Sequence, residues 1–395
     1  MYVRRLEVVN FRCYRQLALT LPQGPILVVG GNGQGKTSLL EALFVLATTR
    51  APYGFADRLL LNWAAAEDVI PFSRVVGEVV KASGTTTIDI VRAGGDERAT
   101  KRLRVDDVPR RAVDVIGTLN VVLFTPRDID LLHGAPTERR RYLDVLLCQI
   151  DRAYVRALGH YNHTLLQRNH LLRRLRERGG PRSELAVWDD ALVTHGAAIL
   201  ERRVVAAAHL DRLAHGVHTA LAADEPPLTV RYRSQVVDAD RTASLAPPTA
   251  PASDTAALAA QFAAALAARR DEEIARGMSL VGPHRDDLEL RLGGIDVRLF
   301  GSRGQQRTVT LALKLAEAAW MHEVTGERPV LLLDDVLSEL DPDRRRRLLD
   351  TVAAHEQAWL TATDLEPADA AALRGAHVLA VDHATVRAPT APDRA

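Results

Sequence analysis

The spacing of apolar positions changes along the chain, and each change marks a different kind of element. Residues 3–10 and 16–21 read as strands able to pair as a hairpin, and "PILVVG" (25–30) is a short apolar run suited to a buried strand. Between residues 73 and 105 three strand-like stretches, "RVVGEVVK", "TTTIDIVR" and "KRLRVDD", are separated by glycine-bearing turns, which predicts an antiparallel meander. "LNVVLFTP" (119–126) is a further buried strand. The period then lengthens. Leu143, Leu147, Ile150, Tyr154, Leu158, Tyr161, Leu165, Leu172 and Leu175 recur every three or four residues, an amphipathic helical stripe running from residue 138 to 178. Gly179-Gly180-Pro181 stops it, a second stripe runs from Leu185 to Leu221, "APPTAPASD" (246–254) is loop-like, and residues 255–276 are again helical. Strand logic returns at Leu288, Leu290 and Leu292; Gly293-Gly294 turns the chain, and Ile295, Val297 and Leu299 alternate back.

The fold expected is α/β: a mixed sheet with an antiparallel β subdomain, interrupted by a mainly helical insert lobe. The boundaries expected are 1–126 for the N-terminal part of the sheet domain, 127–277 for the helical lobe, 278–384 for the C-terminal part and 385–395 for a disordered tail.

Composition adds bounds. At 395 residues with 47% hydrophobic content, the chain can build a substantial core in more than one domain. A net charge of +1 means that any basic surface must be local. The basic residues are almost all arginine, lysine occurring only at Lys36, Lys81, Lys101 and Lys314; a GC-rich genome or a polyanionic partner would each produce that skew. Cys13 and Cys148 are the only cysteines, which excludes a disulfide framework and suits a reducing compartment. Charges break up the first residues and no apolar run approaches the ~18–20 residues of a membrane span, so a cytoplasmic protein is expected.

The strand at 25–30 leads into Gly30-Gly31-Asn32-Gly33-Gln34-Gly35-Lys36-Thr37-Ser38 and then a helix. Glycines let the backbone curl with its N–H groups inward, the helix N-terminus favours anions, Lys36 reaches β- and γ-phosphates, and the Thr37 hydroxyl suits Mg²⁺. ATP and Mg²⁺ are the ligands expected. About 300 residues later "PVLLLDD" ends in Asp334, a metal-holding carboxylate, and Asp335, which could orient or deprotonate an attacking water. The alternative is an acidic pair capping the next helix. No Asn-Lys-x-Asp string suggests a GTPase, and a small-molecule kinase would have no use for the stretch at 301–317.

That stretch, "GSRGQQRTVTLALKLAE", resembles the Ser-Gly-Gly-Gln signature of ABC-type ATPases at Ser302, Gly304 and Gln305, and "LSELD", ending in Asp341, falls where those ATPases keep their D-loop. In that class the signature completes the γ-phosphate site of a second subunit, so two ATP molecules are sandwiched and nucleotide gates dimerisation. The second carboxylate here is Asp335 rather than glutamate, and "AWLTATD" offers Thr361 and Thr363 where a transporter ATPase would carry a switch histidine. An ABC-type subunit of a membrane complex is therefore the second choice. SMC heads share the layout but carry far longer inserts.

Over nearly its whole length the chain resembles the RecF family. The strings that carry the resemblance are "LEVVNFRCY", "GGNGQGKTSLLEA", "GAPTERRRYLD", "VGPHRDDLEL", "GSRGQQRTVTLALKLAE" and "PVLLLDDVLSELD". It implies an ABC/SMC-type ATPase head, a weak DNA-dependent ATPase, and an ATP-dependent homodimer on DNA that favours single-strand/duplex junctions. It further implies work with RecR and RecO, loading of RecA at gaps, and a role in replication and the SOS response. Arg12 resembles the position where such heads bring an arginine to the phosphates, a surface position on the hairpin being the alternative. Arg139, Arg140, Arg141, Arg173 and Arg174 are the candidate DNA contacts, with a solvated helix face as the competing reading. His284 and Arg285 have no role that the sequence supplies.

Overall fold

A computed structural model describes residues 1–94, 100–237, 255–363, 373 and 375–387. The chain divides into two compact units, Met1–Asp128 with Thr310–Ala395, and Ile129–Val309. The division assigns residues 278–309 to the helical unit, although the sequence pattern groups them with the C-terminal part of the sheet domain.

Two sheets build the first unit. Strands Tyr2–Phe11 and Tyr14–Thr20 pair antiparallel, and Tyr2–Phe11 also pairs with Phe72–Lys81, which continues through Gly84–Ala93 and Thr100–Val105 as the expected meander. The second sheet is mixed. Gly24–Val29 lies between Gln357–Ala362 and His377–Asp382, and Val330–Asp334 lies between Gln357–Ala362 and Val121–Phe124, all parallel; Thr385–Arg387 closes one edge antiparallel. The inner strands read as continuous apolar runs because both faces are covered. Val330–Asp334, for example, is buried at every position. Helix Lys36–Thr48 touches strands of both sheets, and Leu39, Leu40, Ala42, Leu43, Leu46 and Ala47 on it are fully buried. The tail expected from residue 385 is thus corrected at its start, since Thr385–Arg387 is a strand; residues 388–395 lie outside the described residues.

In the second unit the long stripe is two helices, Pro136–Ile150 and Arg152–Arg178, not one. Asp151 is extended between them, and its carboxylate accepts from the N–H groups of Ala153 and Tyr154, so a side-chain cap starts a new helix where apolar spacing alone continues. Helices Leu185–Leu221 and Thr255–Arg276 follow; the expected loop at 246–254 is outside the described residues. Strand Leu228–Arg233, not anticipated within the helical lobe, pairs antiparallel with Asp287–Leu292. The returning strand after Gly293-Gly294 is only Ile295–Asp296. Asp296 caps Arg298 N–H and the chain turns into the short helix Val297–Phe300, which leaves Leu299 and Phe300 exposed rather than alternating.

The core of this unit includes buried charged and polar side chains. Arg203, 3% exposed, donates to Tyr154 Oη (2.9 Å), the Pro283 carbonyl (2.6 Å) and Asp144 (2.7 Å). Tyr232 donates to Asp286 (2.7 Å), and Tyr161 shares a 2.7 Å hydrogen bond with His284 Nδ1. Arg168, fully buried, binds Asp189, Ser279 and Glu273. Burial pushes His284 down to about 4 and Asp286 up to about 6. The string Gly282-Pro283-His284-Arg285 is thereby placed: its Pro283 carbonyl and imidazole are bonded into the core, and Arg285 donates to the Ser279 carbonyl.

A candidate nucleotide site

The loop between strand Gly24–Val29 and helix Lys36–Thr48 depends on glycines at two places. At Gly30 (φ 156°) a Cβ would fall 2.2 Å from the Val381 carbonyl oxygen, so strand His377–Asp382 leaves no room for a side chain. Gly35 (φ 118°) caps the helix in a conformation that disfavours side chains, with Cys13 Sγ and Tyr14 Oη within 3 Å of any added Cβ. Tyr14 Oη donates to the Gly35 carbonyl (3.1 Å), and Gln34 is held by the turn of the last hairpin, its side-chain oxygen accepting from His383 N–H (2.6 Å). The cradle is braced from both sheets of its unit.

Lys36 Nζ donates to the carbonyls of Gly30 (2.6 Å) and Gly31 (2.9 Å), so the amine is folded back over the loop. Thr37 Oγ1 donates to the Asp334 carboxylate at 3.0 and 2.9 Å, closing a gap of 297 residues in sequence. Thr361 stands in register with Asp334 on the neighbouring strand, donates to its carboxylate (2.7 Å) and accepts from Asp335 N–H (2.9 Å). Asp335 itself has φ 51°, a left-handed conformation that turns the chain sharply off the strand end. Asn32, Gly33, Gly35, Lys36, Thr37, Ser38, Asp334, Asp335 and Thr361 line one open pocket of about 330 Å³ together with Cys13 and Pro126. This lining comes wholly from the first unit.

The donor set tests the metal. One hydroxyl and one carboxylate converge, and no group of three or more His, Cys, Asp or Glu side chains suited to a metal exists among the described residues. A cation held by a dedicated protein cage does not fit that arrangement. Mg²⁺ does, because it takes one or two protein ligands and fills its octahedron with phosphate oxygens and water.

Other expected residues are placed differently. Arg12 is committed to Glu41, with Nε and Nη2 each 2.7 Å from a carboxylate oxygen, and to the Leu59 carbonyl (2.8 Å). Burial raises the Glu41 pKa although Arg12 opposes the shift. Neither Arg12 nor Asp341 is among the residues lining the pocket. Asp341 is the N-cap of helix Pro342–Ala353, accepting from Arg344 N–H. Thr361 is expected at the place of a switch histidine, but its bond to Asp334 follows from strand register; Glu41 lies within the loop-and-helix string without an assigned role, one turn beyond Thr37.

In the second unit Ser302 and Gln305 start helix Arg303–Thr325 with a reciprocal cap. Ser302 N–H donates to Gln305 Oε1 (2.9 Å) and Gln305 N–H donates to Ser302 Oγ (3.3 Å), while Ser302 and Gly304 remain exposed. Gln306 is buried and shares a 2.9 Å hydrogen bond with His133. The candidate DNA contacts separate. Arg139, 3% exposed, is bidentate to Asp287 (2.6 and 3.0 Å) and donates to the carbonyls of Leu131 and Gly134. That corrects its assignment: the guanidinium belongs to the fold. Arg140 donates to the Asp286 carbonyl and to Thr137, Arg141 is half-buried, Arg174 pairs with Glu184, and Arg173 is exposed.

The family model described as "RecF/RecN/SMC N terminal domain" matches residues 2–364. The chain is 47% identical over 380 residues to the DNA replication and repair protein RecF of Herpetosiphon aurantiacus, covering 93% of this chain and 94% of that one. It is 44% identical to the protein of the same name from Roseiflexus castenholzii, covering 93% and 95%. The chain belongs to the RecF family. Among solved structures, the recombination mediator protein RecF-ATP in the RecFOR pathway superposes with a TM-score of 0.86 at 27% identity, covering 98% of each chain. The architecture is therefore that of the RecF/SMC-type ATPase head, and the pocket built by Lys36, Thr37 and Asp334 is the nucleotide-site candidate of a RecF-family fold. No helix among the described residues is long and apolar enough to cross a membrane.

Proposed function

We propose that the protein is an ATP-gated DNA-binding clamp of replication and recombinational repair. The observation that carries this reading is the Thr37–Asp334–Thr361 cluster beside the Lys36 cradle, a hydroxyl and a carboxylate brought together at the mouth of a glycine loop. In this reading the backbone N–H groups of residues 31–37 bind phosphate oxygens, and Lys36 leaves the Gly30 and Gly31 carbonyls for the β- and γ-phosphates. Thr37 and Asp334 hold Mg²⁺, which when bound neutralises phosphate charge. Asp335 orients the attacking water and takes its proton.

The exposed, capped helix tip at Ser302 and Gly304 completes the γ-phosphate site of a second copy, so ATP stabilises a homodimer and hydrolysis releases it. Gln305 supports the tip, and Asp341 stands in the D-loop of the same interface. The substrate is DNA with single-strand/duplex junctions, hydrolysis is weak and DNA-dependent, and RecR with RecO are the partners through which RecA is loaded at gaps and the SOS response supported. Support comes from the names of the relatives and from the recombination mediator whose ATP-bound structure this chain resembles.

Sedimentation with and without ATP and gapped DNA tests the clamp. The wild-type chain is expected to dimerise only with ATP, Lys36→Ala to lose ATP binding, and Ser302→Ala to bind ATP but stay monomeric. A Ser302→Ala variant that dimerises like the wild type would remove the cross-subunit role.

A further inference from the structure

Beside the nucleotide pocket lies a second one of about 340 Å³, lined by Leu40, Pro52, Tyr53, Phe55, Leu123 and Arg127 and sharing Thr37, Pro126 and Asp334 with it. Arg127 is exposed in the turn Pro126–Ile129 that follows strand Val121–Phe124. Its guanidinium carbon lies 5.2 Å from the centre of the Phe55 ring and 6.0 Å from that of Tyr53. The rings meet edge to face at 5.9 Å, and the Tyr53 hydroxyl is hydrogen-bonded to Thr125. The aromatic seat is therefore itself fixed.

Among the described residues the Arg127 side chain makes no hydrogen bond or ion pair. The carboxylates around it are already engaged. Glu41 takes both of its bonds from Arg12, Asp334 receives Thr37 and Thr361, and the buried Asp128 accepts from Thr125 N–H at 2.6 Å. Stacking on aromatic faces holds a guanidinium in place while leaving its N–H fork unused. A planar cation kept this way, with no acid partner, fits an incoming oxyanion. The wall it shares with Thr37 and Asp334 is, in the nucleotide reading, the end of the cradle that takes the terminal phosphates.

We propose that Arg127 is a ligand of the ATP γ-phosphate within the same subunit and makes the site discriminate ATP from ADP. This rests on the nucleotide reading of the cradle but not on the dimer. ADP lacks the group that Arg127 binds, so its affinity is set by the loop, Lys36 and Thr37 alone.

Calorimetric titration of the full-length chain with ATPγS and with ADP, each with Mg²⁺, tests it. Arg127→Ala is expected to leave ADP affinity within about twofold and to weaken ATPγS about tenfold or more, the range of one charge-assisted hydrogen-bond pair. Arg127→Lys should recover part of the loss, and Phe55→Leu, which keeps the pocket apolar but removes the nearer ring, should reproduce a smaller loss in the same direction. An unchanged ratio of ATPγS to ADP affinity in Arg127→Ala, or an equal loss for both nucleotides, would overturn the assignment. A wild-type chain that binds neither nucleotide would instead overturn the nucleotide site itself, and Arg127 with it.

Discussion

At Asp335 two demands meet, the proposed role of its carboxylate toward water and a backbone at φ 51°. Asparagine and aspartate tolerate the left-handed region better than other side chains, so Asp335→Asn removes the proposed base while keeping the turn. ATP binding and ATP-dependent dimerisation should persist in this variant, with single-turnover hydrolysis reduced by roughly 10²–10⁴, the usual contribution of a positioned acid or base. Asp335→Ala should add a folding penalty of about 1–2 kcal/mol from the strained φ, visible as a lower melting temperature that Asp335→Asn does not share. Of the residues around it, Lys36, Thr37 and Asp334 were legible in the sequence because their chemistry is local: a glycine loop before a helix, an apolar run ending in acid. The bonds of Thr361 to Asp334 and of Glu41 to Arg12 were not legible, although sequence position singles out Thr361, since they come from strand register and a helical turn. Arg12 is a different case. Its neighbourhood in sequence resembles a phosphate contact, yet its guanidinium is bonded to Glu41.

At the scale of elements, hydrophobic period located strands and helices and failed wherever a polar group set the boundary. Asp151 splits a continuous apolar stripe, and Asp296 turns a returning strand into a helix. The same polar chemistry fills the core around His284 and Asp286, where no periodicity could announce it. His284 is held neutral by burial, with a pKa lowered from 6.5 to about 4, so the unfolded chain binds a proton in that window and the folded chain does not. Its contribution to stability is thus present above pH 6.5 and lost as pH falls toward 4. Asp286, raised from 3.8 to about 6, acts in the other direction: the folded chain holds its proton longer, which favours folding as pH falls through that range. His284→Gln removes the first effect and leaves the second. The melting-temperature gap between wild type and His284→Gln should therefore narrow from pH 7 to pH 5, by an amount equivalent to at most about 2 kcal/mol. A gap that is constant or widens over that interval would show that His284 does not titrate as its burial demands.

For the whole molecule, a net charge of +1 leaves the proposed DNA binding to local clusters of arginine, and clusters in sequence need not be clusters on the surface. Arg139 and Arg173 make the contrast measurable. Arg139 has both carboxylate oxygens of Asp287 and two carbonyls as partners, at 3% exposure. Its removal strands those groups, and Arg139→Ala should destabilise the chain by about 3–5 kcal/mol, as breaking a buried pair does. Arg173 lies exposed near the C-terminal end of helix Arg152–Arg178, and no hydrogen bond or ion pair engages its side chain among the described residues. If it contacts backbone phosphate, Arg173→Ala should weaken gapped-DNA binding in the presence of ATP and reduce the slope of log affinity against log salt by about one unit, with melting temperature unchanged. Anisotropy titrations at several salt concentrations separate the two. A slope lowered equally by both variants would mean that Arg139 acts through the fold on the same DNA surface. A slope that Arg173→Ala leaves untouched would move the contact to another face, with half-buried Arg140 and Arg141 next to be tested.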